Sequence, residues 1–190
     1  RYAGPFMSRL CEQHRETITL SVLDEVDVVF LEVVESPQRV KLAATTGQRM
    51  PAFSTAAGKA ILAYLPDVTV MRILDSGMQQ FTQYTILSKE ALLANLELVR
   101  EQGFAISMQE YEDGINAVAA PVLNAEGFPI AAITVAGPAY RLTQGLMLEI
   151  GPSVTETSRM IAQEIEFVAG MDAHVLSDGP QAVRRVEIAV

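Results

Sequence analysis

The sequence predicts an α+β fold, in which an antiparallel sheet carries helices on its faces. Residues 17–23 alternate between apolar and polar side chains, with the period of a half-buried strand. Residues 115–123 and 129–136 are extended segments joined by the strong turn sequence from Asn124 to Gly127. Helical segments with capping residues at their starts lie between these strands.

The first part of the chain is predicted to form a helix and a hairpin. The helix covers residues 4–13, with an apolar side that faces the core. Residues 28–34 are rich in β-branched side chains and should pair with residues 17–23 across the polar turn 24–27. Residues 40–45 then resume an extended path toward the next helix.

Residues 47–65 are the segment around which we expect the chain to be organised. An extended stretch ends at Pro51, and a helix begins at Ser54 or Thr55, because either hydroxyl can cap its first turn. The small residues 56–58 follow, and their free N–H groups would lie at the positive end of the helix, where an anion can bind. The same small residues could instead serve only to pack the helix closely against the sheet.

Capping residues and apolar periodicity predict the remaining elements. They are a helix over residues 67–74, a loop over 79–87, a helix over 88–102, a strand over 104–108 and a long helix over 142–168. Pro152 should bend or divide the last helix. In residues 171–190, alternation at Val186, Ile188 and Val190 fits either an edge strand, on this chain or a neighbouring one, or a disordered tail.

Composition limits the classes of function. The 190 residues carry a formal net charge of −9, and such an acidic surface repels nucleic acid, so we do not expect this chain to bind DNA by itself. No apolar run reaches the roughly 18 residues of a membrane helix, and no secretory leader is recognisable. The single cysteine, Cys11, suits a reducing compartment. These features predict a cytoplasmic protein without a membrane partner.

Six segments, in order, carry a family resemblance. The central one reads G-Q-R-M-P-A-F-S-T-A-A-G-K-A-I-L-A; it follows V-V-F-L-E-V-V-E-S-P and precedes F-T-Q-Y-T-I, E-Q-G-F-A-I, G-I-N-A-V-A-A-P-V and A-A-I-T-V-A-G-P. Together they resemble the C-terminal effector-binding domain of the IclR family of bacterial transcriptional regulators. The resemblance covers about residues 3–170.

This resemblance implies a sheet of about six strands with GAF/profilin-like architecture, and an effector-binding domain over residues 1–170 followed by a tail over 171–190. It implies a sensor that binds a small organic acid, assembles as a dimer or tetramer, and contacts operator DNA only through a separate N-terminal winged helix-turn-helix domain. Nothing in the sequence reads as that domain, so we expect the chain to be the sensory part of a longer protein. No enzyme activity, cofactor or metal is expected.

The predicted ligand site lies between the helix start and the hairpin. Ala117 and Ala119 share one strand face, and Ala132, Thr134 and Ala136 share a face of the partner strand. If these faces meet the start of the helix, their small side chains leave a hollow that could bind a ligand. The alternative is that they only allow the helix to pack tightly on the sheet. The resemblance implies effector-binding residues Leu42, Met50, Ala56, Ala57, Ser107, Ile115, Ala117, Thr134 and Ala136. Phe53, Phe104 and Tyr111 are expected to add aromatic walls. The predicted ligand is an acid with an apolar or aromatic body, its carboxylate against the Ala56 and Ala57 amides.

Other classes of function have weaker sequence support. A hydrolase lacks a G-x-S-x-G motif, and a Cys11–His14 pair lacks a third orienting group. A metal site at residues 110–113 lacks histidine or cysteine spacing, so we expect a solvated turn. Lys59 is a secondary candidate for binding a ligand anion, although solvent or a carboxylate is the commoner partner. A protein-interaction or oligomerisation module without a ligand remains the main alternative.

Overall fold

A six-stranded antiparallel sheet separates two groups of helices. The computed structural model describes residues 2–177. Within them the strands are β1 (Thr17–Asp24), β2 (Asp27–Val34), β3 (Arg49–Pro51), β4 (Ala105–Met108), β5 (Ile115–Leu123) and β6 (Pro129–Pro138). The helices are α1 (Gly4–His14), α2 (Ala56–Leu62), α3 (Asp67–Asp75), α4 (Lys89–Gln102) and α5 (Gln144–Ser177). The predicted α+β class is confirmed.

Two hairpins, β1–β2 and β5–β6, form the middle of the sheet, and β3 and β4 are its edges, in the strand order β3-β2-β1-β6-β5-β4. Both hairpins were predicted from their turns. At the β5–β6 turn the Asn124 side chain accepts hydrogen bonds from the backbone N–H groups of Glu126 and Phe128, while Gly127 takes a positive φ of 77°. Pairing of β1 with β6, which sets Thr19 opposite Thr134, joins the hairpins into one sheet.

The sheet buries a core on each face. Helices α2, α3 and α4 cover one face, where Ala105, Ala119 and Ala132 lie beneath α2. Helices α1 and α5 cover the other face, which is filled by larger apolar residues. The alanines allow α2 to lie close to the strands, because short side chains leave little separation between the backbones.

Residues 40–45, predicted to follow an extended path, are not a strand of the sheet, and the strand that pairs with β2 on its outer side is β3. In the segment from residue 35 to 48, here called the strap, several backbone groups are bonded to side chains of other elements. Thr17 Oγ1 donates to the Leu42 carbonyl at 3.2 Å, and Arg141 Nη2 donates to the Val40 carbonyl at 2.9 Å. These bonds replace the ladder that a strand would need.

Helix α5 is continuous from Gln144 to Ser177, so Pro152 does not divide it, and the alternative that Pro152 bends it stays a prediction. The proline ring removes one hydrogen bond to the carbonyl four residues earlier, that of Leu148. Leu148 is exposed, so water can hydrate this carbonyl and the helix can continue. The helix also runs past the predicted end at residue 168. Residues 186–190, for which either an edge strand or a disordered tail was expected, lie outside the described residues.

Candidate functional site

A hollow of about 620 Å³, part of it open to solvent, lies between the start of α2 and the sheet. Small residues that face each other across the strands form its floor and leave the space above them open. Ala117 pairs with Ala136 in β5–β6, and Ser107 pairs with Ala117 in β4–β5. Larger apolar side chains from β2, β3, the strap and β5 form the remaining walls, among them Phe30, Met50 and Leu42. The sequence therefore leaves unfilled the space that the hairpin pattern predicted.

Most residues predicted to bind an effector lie around this hollow. They are Leu42, Met50, Ala56, Ala57, Ser107, Ile115, Ala117, Thr134 and Ala136. Phe53 does not, since it is buried in the core beneath α2, with its ring centroid 6.1 Å from that of Phe81. A role of these residues in binding a ligand stays a prediction.

Of the three aromatic residues predicted to form a wall of the hollow, Phe53, Phe104 and Tyr111, only Tyr111 lines it. Tyr111 lines the hollow, and its ring centroid lies 4.9 Å from that of Phe81. Phe104 instead packs on the opposite face of the sheet, beneath α5 and against Gly151. The alternation of strand side chains explains this, because Ala105 and Ser107 take the face of the hollow and leave the other face to Phe104.

Several residues that line the hollow were not predicted from the sequence. They are Thr19, Val28, Phe30, Ala44, Gln48, Ser54, Thr55 and Glu112. Thr19 could have been found only from its pairing with Thr134, which joins strands more than a hundred residues apart. Ala44 and Gln48 belong to the strap, whose path depends on tertiary hydrogen bonds.

The start of α2 supplies backbone donors to the hollow. Thr55 is the N-cap, and its Oγ1 accepts the Gly58 N–H at 3.2 Å, so the cap is Thr55 rather than Ser54. Amides of the first turn have no carbonyl one turn earlier in the helix to accept their hydrogen bonds. The Ala56 and Ala57 amides therefore can donate to a group in the hollow.

Two hydroxyl groups in the walls lack partners. Ser54 Oγ and Thr134 Oγ1 are buried and accept or donate no hydrogen bond within the described residues. Ser107 Oγ makes only a long contact, 3.5 Å, to the Ser54 carbonyl. Buried polar groups in proteins are nearly always paired, and each unpaired one costs about 1–3 kcal/mol. Neither unpaired oxygen is accessible from the hollow in this structure, so a polar ligand group would satisfy these hydroxyls after a small local movement.

Lys59, a secondary candidate for binding a ligand anion, does not line the hollow. Its side chain is fully buried, and Nζ donates to the Glu110 carboxylate at 2.6 Å and to the Ile106 carbonyl at 2.7 Å. Glu110 is correspondingly buried, so the predicted solvated turn is wrong at this residue. Burial raises the pKa of Glu110, while the Lys59 charge acts in the opposite direction. Burial likewise lowers the pKa of Lys59, against the opposing effect of Glu110.

Cys11 and His14, the pair considered for catalysis, have structural partners. Cys11 Sγ contacts the Glu35 carbonyl at 3.5 Å, and burial raises the pKa of this thiol, which keeps it protonated. His14 Nε2 lies 2.9 Å from Ser153 Oγ, and burial lowers the pKa of the imidazole. Among the described residues, no three histidine, cysteine or acidic side chains are grouped as metal ligands.

Comparison with known proteins identifies the class. The family model described as "Bacterial transcriptional regulator IclR C-terminal" matches residues 1–163. The HTH-type transcriptional repressor AllR of Escherichia coli K12 is 34% identical over 173 residues, which are 90% of this chain and 62% of AllR. This chain thus spans less than two thirds of the length of that relative.

Solved structures give the same class. The C-terminal domain of the E. coli transcriptional regulator KdgR superposes with a TM-score of 0.77 at 33% identity, covering 86% of this chain and 96% of that one. A double mutant of the inducer-binding domain of PobR from Acinetobacter, in complex with 3-hydroxybenzoic acid, gives 0.76 at 31% identity, covering 84% and 95%.

The chain belongs to the IclR family of bacterial transcriptional regulators and corresponds to its C-terminal domain. Its relatives are regulators of transcription. Within residues 2–177, no helix is both long and apolar enough to cross a membrane.

Proposed function

We propose that this domain senses a small organic acid, which binds in the hollow between α2 and the sheet. The observation that carries the proposal is the pair of buried hydroxyls, Ser54 and Thr134, left without partners in the wall of an open pocket. The ligand carboxylate accepts hydrogen bonds from the Ala56 and Ala57 amides and from these hydroxyls. Its apolar or aromatic body contacts Leu42, Met50, Phe30 and Ile115. The bound acid in the PobR domain supports this class of ligand.

The signal would pass from the pocket to an attached DNA-binding domain. A ligand shifts a conformational equilibrium only as far as its affinity differs between the two states. We propose that the intact protein binds operator DNA through a winged helix-turn-helix domain outside this chain. It acts in the cytoplasm as a dimer or tetramer. We assign residues 1–170 to effector binding, with α5 continuing beyond this boundary.

Titration of the protein with two kinds of acid tests the ligand class. We expect benzoate-type acids to bind more tightly than pyruvate-type acids, because only the former fill the apolar walls. At a free ligand concentration about one hundred times its dissociation constant, the ligand should stabilise the fold by about 2.7 kcal/mol. Isothermal titration calorimetry and thermal unfolding measure both effects. Tighter binding of pyruvate would contradict the apolar body, and binding of no acid would favour an interaction module.

Replacement of Thr134 by valine separates binding from stability. The hydroxyl has no protein partner, so we expect T134V to leave the free energy of unfolding unchanged or to raise it, by up to about 1–3 kcal/mol, while weakening benzoate binding roughly fivefold to thirtyfold. Thr17→Val is the matched control. Thr17 Oγ1 bonds to the Leu42 carbonyl and the Ser36 N–H, so this change should cost about 1–3 kcal/mol of stability. Unaltered benzoate affinity in T134V would refute the role of the hydroxyl.

A further inference from the structure

We infer that the pocket selects acids with one negative charge, and that Glu112 at its mouth excludes acids with a second one. The inference rests on the proposed function, because it assumes an acid in the hollow, and it adds a residue that determines specificity. It follows from the charges around the pocket and from the position of Glu112 relative to the unpaired hydroxyls.

The lining of the pocket holds no positive charge. Among the described residues that line it, Glu112 is the one charged side chain, and lysine, arginine and histidine are absent. Uncharged donors, namely hydroxyls and backbone amides, can satisfy one carboxylate. A second carboxylate would find no cation and one repelling carboxylate.

Two cations on elements around the pocket are held elsewhere. Lys59, on the helix that forms the roof, is fully buried and bonded to Glu110. Arg141, which ties down the strap, donates to both oxygens of the Glu16 carboxylate, with Nη2 at 2.9 Å from Oε2. Neither side chain can turn toward a ligand without leaving a buried carboxylate unpaired, and such a change is costly.

Glu112 lies at the opposite end of the hollow from the unpaired hydroxyl of Thr134. Thr134 pairs with Ala119, well inside the β5–β6 hairpin, whereas Glu112 belongs to the turn just before Ile115, where β5 begins. Four residues of strand separate these levels, roughly 13 Å. An acid bound at Thr134 therefore directs its far end toward Glu112, whose own side chain is exposed and makes no hydrogen bond or ion pair within residues 2–177.

A matched pair of ligands tests the inference by calorimetry on the whole chain. Monomethyl terephthalate and terephthalate have nearly the same shape, but the second carries an additional negative charge. Repulsion between the second carboxylate of terephthalate and that of Glu112, at a separation of about 7 Å, predicts that terephthalate binds at least tenfold more weakly than the monoester. Because Glu112 is exposed, this ratio should fall as salt is added.

Glu112→Gln should reduce the ratio between the two ligands severalfold, whereas Asp113→Asn should leave it unchanged. Asp113 is the neighbouring exposed carboxylate and does not line the pocket, so it controls for the general loss of one negative charge. Equal affinity of the two ligands, or equal effects of the two substitutions, would overturn the inference and leave the proposed function standing. Failure of benzoate, the monoester and the diacid alike to bind would overturn both.

Discussion

Replacing Lys59 with methionine is expected to lower the free energy of unfolding by about 3–5 kcal/mol, because it leaves the Glu110 carboxylate buried without its charged partner. One oxygen of Glu110, Oε2, already lacks a hydrogen-bond partner, and without Lys59 the buried carboxylate would have no cation to pair with among the described residues and only the backbone of Met108 to oppose its burial. Chemical denaturation measures the loss.

A double substitution provides the control. Lys59→Met together with Glu110→Leu removes both charges and replaces them with apolar groups, which should recover most of the stability, since buried ion pairs add little over well-packed apolar residues. If the single Lys59→Met protein were as stable as the original, the buried ion pair would not hold the fold as described.

The loss caused by Lys59→Met should also depend on pH. Burial already raises the pKa of Glu110 above its ordinary value of 4.5, and removing Lys59 takes away the interactions that oppose this rise. The folded variant then binds a proton more tightly than the unfolded chain does. The penalty is therefore absent below the unfolded pKa and grows as the pH rises toward the folded pKa. We expect a smaller difference from the original protein at about pH 5 than at about pH 8.

Replacing Gly58 with alanine is expected to cost about 3 kcal/mol of stability or more. A β-carbon at this position would lie 2.0 Å from the carbonyl oxygen of Ala52 and 2.3 Å from its α-carbon, and these are backbone atoms that no rotamer change can move. Relief requires α2 to shift away from the turn over Ala52–Ser54. That shift displaces Ser54 and the first-turn amides, so benzoate binding should weaken as well.

Gly145→Ala is the matched control for this prediction. Gly145 lies near the exposed start of α5, and an added β-carbon there meets no atom within 4 Å. Alanine favours a helix over glycine, so this variant should be no less stable than the original protein. Denaturation curves for the two variants give the comparison, and a Gly58→Ala protein that unfolds at the original midpoint would contradict the close approach.

Features close together in the sequence were predictable. Both hairpins were found because each turn and its two strands are contiguous, and the period of two along a strand already assigns Ala117, Thr134 and Ala136 to one face of each strand. Helix α4 was found because Ser88 caps its start and Gly103 ends it. The family resemblance then indicated which strand faces and which helix start would form the pocket.

Features that depend on distant partners were not predictable. Phe53 follows a proline in an irregular turn, so no periodicity decided whether its ring would face the hollow or the core beside Phe81. Lys59 reads as an ordinary helical lysine until Glu110, 51 residues later, is brought beside it. Glu112 became a candidate for specificity only when the turn before β5 was placed at the mouth of the pocket.

The sequence by itself determined the strands, the capped helices and the small residues that leave a hollow, because each follows from local backbone preferences and side-chain volume. Only the tertiary structure decided which polar groups are left without partners in that hollow and which charges are neutralised elsewhere. Hydrogen bonds and ion pairs act over a few ångströms between residues far apart in the chain, so their partners appear only once the chain is folded.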